Sequence, residues 1–113
     1  MTHHPVTLIS LTDPGRALAE RLQELIPEAE HLNRPQPFQD TVRDRFLAGH
    51  RLILLCAVGI VVRTLGPMLR DKYQDPAVLV LDDHGRFVVP ILSGHEGGAN
   101  EWARQVAEFL GAQ

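Results

Sequence analysis

Cysteine is almost missing from this chain. Cys56 is the only one, so no intramolecular disulfide can form and a packed core has to hold the fold. It sits in the apolar run Leu52 to Val58, where a thiol behaves as a small buried hydrophobe rather than a nucleophile. Basic excess is missing too: 11 Lys and Arg face 14 Asp and Glu, for a net charge of −3. General nucleic-acid binding needs a basic footprint and is excluded on that ground. No apolar stretch approaches the roughly 20 residues that span a bilayer, and no charged segment leads into an export-type apolar run. No membrane partner is expected, and the expected location is cytoplasmic. There is no internal repeat and no low-complexity tract. His3, His4, His31, His50 and His84 have no ligand-like spacing, so no metal site is expected.

What is present is ordinary for a globular domain: 113 residues, 44% hydrophobic and 22% charged. Residues 1–113 are expected to form a single domain, large enough to bury a core without staples. The charge is uneven. Arg51, Arg63, Arg70 and Lys72 face Asp71 alone between residues 51 and 72. Such a zone fits an anionic small ligand, or equally a solvated surface.

Periodicity gives the order of elements. Val6 to Leu11 reads as a strand. Asp13 is a candidate N-cap with Pro14 opening a helix, whose stripe is Leu18, Leu22, Leu25 and Ile26 and which Pro27 ends. Ala29 to Leu32 is a short strand, and Phe38, Val42 and Phe46 mark a second helix that stops at Gly49. Arg51 to Val58 lacks polar alternation, as in a strand covered on both faces. Gly59 opens a third helix, in which Pro67 predicts a kink or an early stop. Ala77 to Leu81 and Phe87 to Leu92 flank Asp82-Asp83-His84-Gly85, a short link that makes them antiparallel. Pro90 puts the last strand at an edge or a bulge. Ala99, Trp102, Ala103, Val106 and Leu110 are the stripe of a final helix. The expected class is α/β: a three-layer α/β/α fold, flavodoxin-like or Rossmann-like, with a mostly parallel sheet and one antiparallel C-terminal edge strand.

Open α/β sheets bind ligands outside the carboxyl ends of their parallel strands. Thr12-Asp13, Ala57-Val58-Gly59 and Asp82-Asp83 are expected to reach that edge. The richest segment for chemistry is Ser93-Gly94-His95-Glu96-Gly97-Gly98-Ala99-Asn100, which contains three glycines and a histidine at the start of the last helix. Glycines let a backbone approach a ligand, a helix start favours an anion, and imidazole titrates near neutrality. Because the hairpin reverses direction, this turn is open to either edge. The loop Asp71 to Pro76 should share its side and cluster Lys72 and Asp75 with it. His95 is the candidate acid–base group, oriented by Ser93 or Asn100. A structural histidine and a capping Asn100 are the plain alternatives.

Gly59-Ile60-Val61-Val62-Arg63, Pro67, Lys72, Asp75-Pro76-Ala77-Val78, Asp82, Gly85, Ser93-Gly94-His95 and Gly97-Gly98-Ala99-Asn100, in this order and spacing, resemble the N-terminal domain of the cobalamin-biosynthesis protein CbiG. The resemblance covers most of the chain. It implies a role in corrin-ring synthesis of the cobalt-precorrin-5A hydrolase type: opening the lactone of the contracted macrocycle and expelling acetaldehyde. On that resemblance His95, Asp75 and Ser93 are the candidate catalytic residues. Arg63, Lys72, Gly94, Gly97, Gly98 and Asn100 are the candidate substrate contacts. No cofactor is implied, cobalt being part of the substrate. The implied partners are a corrin intermediate and either other cobalamin-biosynthesis enzymes or a C-terminal domain such as full-length members carry. A homodimer is left open. Glu96 departs from the apolar residue expected between His95 and Gly97. The competing readings are a non-catalytic corrin-binding module serving a precorrin methyltransferase and a phosphate-binding regulator.

Overall fold

A computed structural model of the chain describes residues 5–69, 75–92 and 98–112. Its elements are β1 (Val6–Ser10), α1 (Asp13–Leu25), β2 (Glu30–Asn33), α2 (Phe38–Leu47), β3 (Arg51–Leu55), α3 (Val58–Leu65), a 3₁₀ turn (Gly66–Met68), β4 (Val78–Leu81), β5 (Val88–Leu92) and α4 (Ala99–Leu110). The strands form one sheet in the order β2-β1-β3-β4-β5. All neighbours are parallel except β4 and β5. The expected three-layer α/β/α class is therefore the one observed.

The core follows from alternation. Ile53, Leu55, Leu79 and Leu81 face α1 and α4, packing on Leu18, Leu22, Trp102 and Val106. Leu52, Leu54, Val78 and Val80 face α2 and α3, packing on Val42, Phe46, Val61 and Leu65. Leu52 through Leu55 are all fully buried, which is why β3 carries no polar alternation.

Local details correct several boundaries. Thr12, not Asp13, caps α1: its Oγ1 accepts from Gly15 N–H at 3.0 Å, and Asp13 and Pro14 fall inside the helix. An aspartate at the first helical position still benefits from the dipole, so the acid signal was real and the capping atom belonged to the preceding residue. β3 stops at Leu55, and α3 starts at Val58 rather than Gly59, with Ala57 as its N-cap. The α-helix ends at Leu65 and Pro67 sits in the 3₁₀ turn, the early stop its ring requires. Pro90 lies on the edge strand, beside a register irregularity at Val78/Leu79. Gly85 has φ +70°, and a Cβ there would meet the Leu18 methyls at 3.1 Å, so the hairpin packs down onto α1.

The other edge strand, β2, is polar and is fastened through hydroxyls of β1. Ser10 Oγ donates to Asn33 Oδ1 at 2.7 Å and lies 2.9 Å from His31 Nε2. With the serine proton committed to Asn33, His31 offers Nε2–H to the serine oxygen. Thr7 Oγ1 contacts Glu30 at 3.2 Å and His50 at 2.9 Å. Both hydroxyls are fully buried, so losing these partners would orphan them.

Burial pulls the His31 pKa below its ordinary 6.5, Glu20 opposes this and Arg16 adds to it. The unfolded chain therefore takes up the proton first as pH falls. Stability is full above about pH 6.5 and declines as the pH drops from there through the folded value. Urea midpoints should fall between pH 7.5 and 5.5, and His31→Gln should flatten that difference. An unchanged slope in the variant would remove His31 from the acid sensitivity.

Candidate functional site

At the carboxyl ends of the parallel strands the three expected turns do converge. A Cβ on Gly15 would meet Thr12 Oγ1 at 3.1 Å and Asp83 Oδ1 at 3.6 Å, so the start of α1 is closed off by the chain's own oxygens. Arg34, at φ +50°, donates through Nε to Leu11 O at 3.1 Å and through its terminal nitrogen to Asp13 Oδ1 at 3.0 Å. Asp82 Oδ1 accepts from the N–H groups of Arg86 at 2.7 Å and Phe87 at 2.9 Å, and its Oδ2 accepts from Arg86 Nε at 3.1 Å. Burial pushes the Asp82 carboxyl up, but the Phe87 and Arg86 hydrogen bonds outweigh it and hold the group below the usual carboxylate range. This end thus presents Asp13, Asp82 and Asp83, with Arg34 and Arg86 already paired to the first two. A phosphate or carboxylate approaching α1 meets filled donors and a negative charge. The first β–α turn therefore offers a phosphate no open place, while the glycine-rich start of the last helix, on which the phosphate-binding reading rests, falls largely outside the described residues.

The opposite, amino edge is different. Antiparallel pairing places Val78, the first residue of β4, beside Leu92, the last of β5. The segments that precede β4 and follow β5 therefore leave the sheet at one edge. Of the residues expected to cluster, Asp75, Gly98 and Asn100 belong to this edge. Lys72, Ser93, Gly94, His95 and Gly97 lie outside the described residues, as do Arg70, Asp71 and Glu96. Gly98 is the N-cap of α4 at φ +75°, a conformation that glycine adopts without strain. Asn100 is exposed inside the first turn and makes no side-chain cap, so the capping alternative for it is corrected. Among the described residues no side chain caps the start of α4. Arg63 is exposed in the last turn of α3, on the sheet face opposite α4. That turn is steadied by Arg43 Nε, which donates to Thr64 O at 3.0 Å, and by Thr64 Oγ1, which donates to Ile60 O at 2.8 Å. Since α3 returns from the carboxyl ends toward the amino ends, Arg63 is carried toward the edge that holds Asp75 and Gly98.

Two features of this edge were not singled out by sequence reasoning. The Arg51 guanidinium lies over the Trp102 ring, 5.5 Å from its centroid. The Trp102 signal was present as a core position, but nothing in the spacing paired it with the first residue of a strand some fifty positions earlier. On the β2 side, Glu30 accepts from Arg45 at 2.8 and 3.2 Å, closing a polar cluster with Thr7 and His50. A shallow cleft of about 410 Å³ runs past Pro5, Glu30, Arg45 and His50. Among the described residues no group of histidine, cysteine and carboxylate side chains is arranged to hold a metal. Nor is any helix among them long and apolar enough to cross a membrane.

Cys56 fits the inert role expected of it. Burial, helped by the Asp83 charge, pushes its thiol from 9.0 up to about 11. The thiolate fraction at pH 8 is about 100-fold below that of an unperturbed thiol with the same starting value. Alkylation of the folded protein at pH 8 should be slower by about that factor than in urea. Asp83→Asn should speed it modestly. Rapid labelling of the folded chain would contradict this environment.

Comparison with known proteins places the arrangement in context. The family described as cobalamin synthesis G N-terminal matches residues 40–113. A cobalt-precorrin-5A hydrolase of Salmonella typhimurium is 40% identical over 117 aligned positions, covering 95% of this chain and 33% of that protein. One from Priestia megaterium is 54% identical over 61 positions, covering 54% of this chain and 16% of its own length. The crystal structure of a cobalamin biosynthesis protein G homologue from Sulfolobus solfataricus superposes with a TM-score of 0.77 at 22% identity. It covers 96% of this chain and 35% of the other. The fold is therefore shared with that structure, and the chain spans about a third or less of the length of these relatives.

Proposed function

The chain belongs to the cobalamin synthesis G N-terminal family, and from that membership we propose that it serves corrin-ring synthesis as a cobalt-precorrin-5A hydrolase domain. It would hold the contracted macrocycle while its lactone is opened and a two-carbon fragment is lost as acetaldehyde. The observation that carries this reading is the 40% identity to the Salmonella typhimurium protein along 95% of the chain. Charge supports an amino-edge site. The carboxyl edge presents carboxylates and would repel a ring that bears many of its own, whereas Arg63 on α3 and Lys72 between α3 and β4 offer cations.

In this mechanism His95 takes a proton from water as the water oxygen bonds to the lactone carbonyl carbon. The N–H groups of Gly97 and Gly98 donate to the developing oxyanion, with Ser93, Gly94 and Asn100 shaping and orienting the turn. The acyl C–O bond then breaks and its oxygen leaves as an alcohol. Loss of that alcohol proton accompanies cleavage of the adjacent C–C bond: the electron pair returns to the ring carbon and the fragment departs as acetaldehyde. His95 or Asp75 handles the proton. Cobalt enters only as part of the substrate. A macrocycle buries more surface than one turn covers, so a further domain or partner completes the site.

The alternative reading is a corrin-binding module that hands its ligand to a precorrin methyltransferase. Acetaldehyde trapping separates the two. The purified chain is incubated with cobalt-precorrin-5A, alone and with the C-terminal part of a full-length relative. Release is expected in the completed assembly, and His95→Ala should lower it about 100-fold or more. Undiminished release in the variant would rule out His95 as the base. Corrin binding without release in either preparation would establish the binding module instead.

A further inference from the structure

Arg51 is the first residue of the central strand β3, and its backbone N–H donates to Pro5 O at 2.8 Å. The alternation that buries Ile53 and Leu55 beneath α4 sends the Arg51 side chain to the same face. Its guanidinium stacks there on Trp102, which is only 8% exposed. The Trp102 backbone N–H donates to Gly98 O at 3.0 Å, so this residue belongs to the first turn of α4, directly after the glycine-rich segment in sequence. The cation is thus set between two rigid parts of the fold, at the edge where the residues before β4 and after β5 leave the sheet.

A guanidinium held over a ring keeps its charge and its five N–H donors, and arginine receives a carboxylate through two parallel bonds. Arg51 has further interactions within the chain. With five donors it can keep a protein partner and still address a ligand. A group so placed needs little reorganisation on binding, unlike a lysine or arginine free on a helix surface. Arg21 offers the contrast. It stacks on Phe109 at 5.7 Å, but it joins α1 to the last turns of α4, away from the start of that helix.

We infer that Arg51 anchors the substrate, receiving one of the peripheral carboxylates of the corrin ring at the amino edge and fixing the macrocycle against the start of α4. This assignment rests on the function proposed above, and it adds to Arg63 and Lys72 a contact that is positioned by packing against Trp102.

Trp102 is the only tryptophan in the chain, so its fluorescence reports directly on this place. Cobalt-precorrin-5A is titrated into the purified chain and Trp102 emission is followed. Saturable quenching is expected. Arg51→Met should weaken binding by about tenfold or more, the effect of removing a charge-assisted hydrogen-bond pair. Arg51→Lys, which keeps the charge but not the planar fork, should recover part of the loss. Arg21→Met, which removes the comparable stack, should bind as the parent does. Thermal melts of each variant verify folding. Parent-like affinity in a folded Arg51→Met overturns the anchor and leaves the corrin reading intact. Failure of the unsubstituted chain to bind, both alone and with the C-terminal part of a full-length relative, overturns both. If Arg51→Met does not fold, parent-like affinity in Arg51→Lys overturns the bidentate anchor.

Discussion

The Asp82 carboxylate accepts two backbone N–H groups and the Arg86 guanidinium, and so closes the hairpin that turns β5 back along β4. Everything downstream depends on that closure. Were β5 parallel to β4, the segment after Leu92 would leave at the carboxyl edge, beside Asp13 and Asp83. Because β5 is reversed, Leu92 instead pairs with Val78, and the residues that follow join those that precede β4. The hairpin is held from below as well. Gly85, at a positive φ, lets the turn settle onto Leu18 of α1, where a methyl group would collide. One carboxylate and one missing side chain thereby decide which end of the sheet receives the glycine-rich segment.

The two ends of the sheet then acquire different chemistry. The carboxyl edge, where ligands of open α/β sheets ordinarily bind, is sealed by Thr12 over the start of α1 and by paired carboxylates around it. The amino edge keeps an α4 start that no described side chain caps, an arginine held over a tryptophan and the approach of Arg63. A chain with net charge −3 can still admit a polyanionic ligand where cations such as Arg51 and Arg63 are set near one end of the sheet. At the β2 edge the polar side chains have a different use: Thr7 and Ser10 spend their hydroxyls binding Glu30, His31, His50 and Asn33, which fastens a strand with little apolar surface.

Most of the architecture could be read from one-dimensional signals. The unbroken run from Leu52 to Leu55 announced a strand covered on both faces, and the short Asp-Asp-His-Gly link announced the antiparallel pair. Pro67 marked the end of α3 and Pro90 the edge strand. Misreadings were local. The cap of α1 went to Asp13 because aspartate and threonine are both good caps, and only the geometry of Thr12 Oγ1 decides between neighbours. The site was legible chiefly through family resemblance, since glycines, a histidine and scattered cations have no spacing that specifies corrin chemistry. Arg51 was legible only as one cation of a basic zone, because its partner is far away in sequence and it looks like any solvated charge until the tryptophan is placed beside it.

Sequence by itself determined the layers, the strand count and the reversal of the last strand, because each follows from hydrophobic period, turn composition and proline, which act over a few residues. It also determined family membership, through motifs retained in order along the chain. Only the tertiary structure decided which end of the sheet is closed and which cations share the other end. Those outcomes depend on strand order and pairing direction, which bring Gly15 to Asp83 and Arg51 to Trp102 across long separations that no local pattern records.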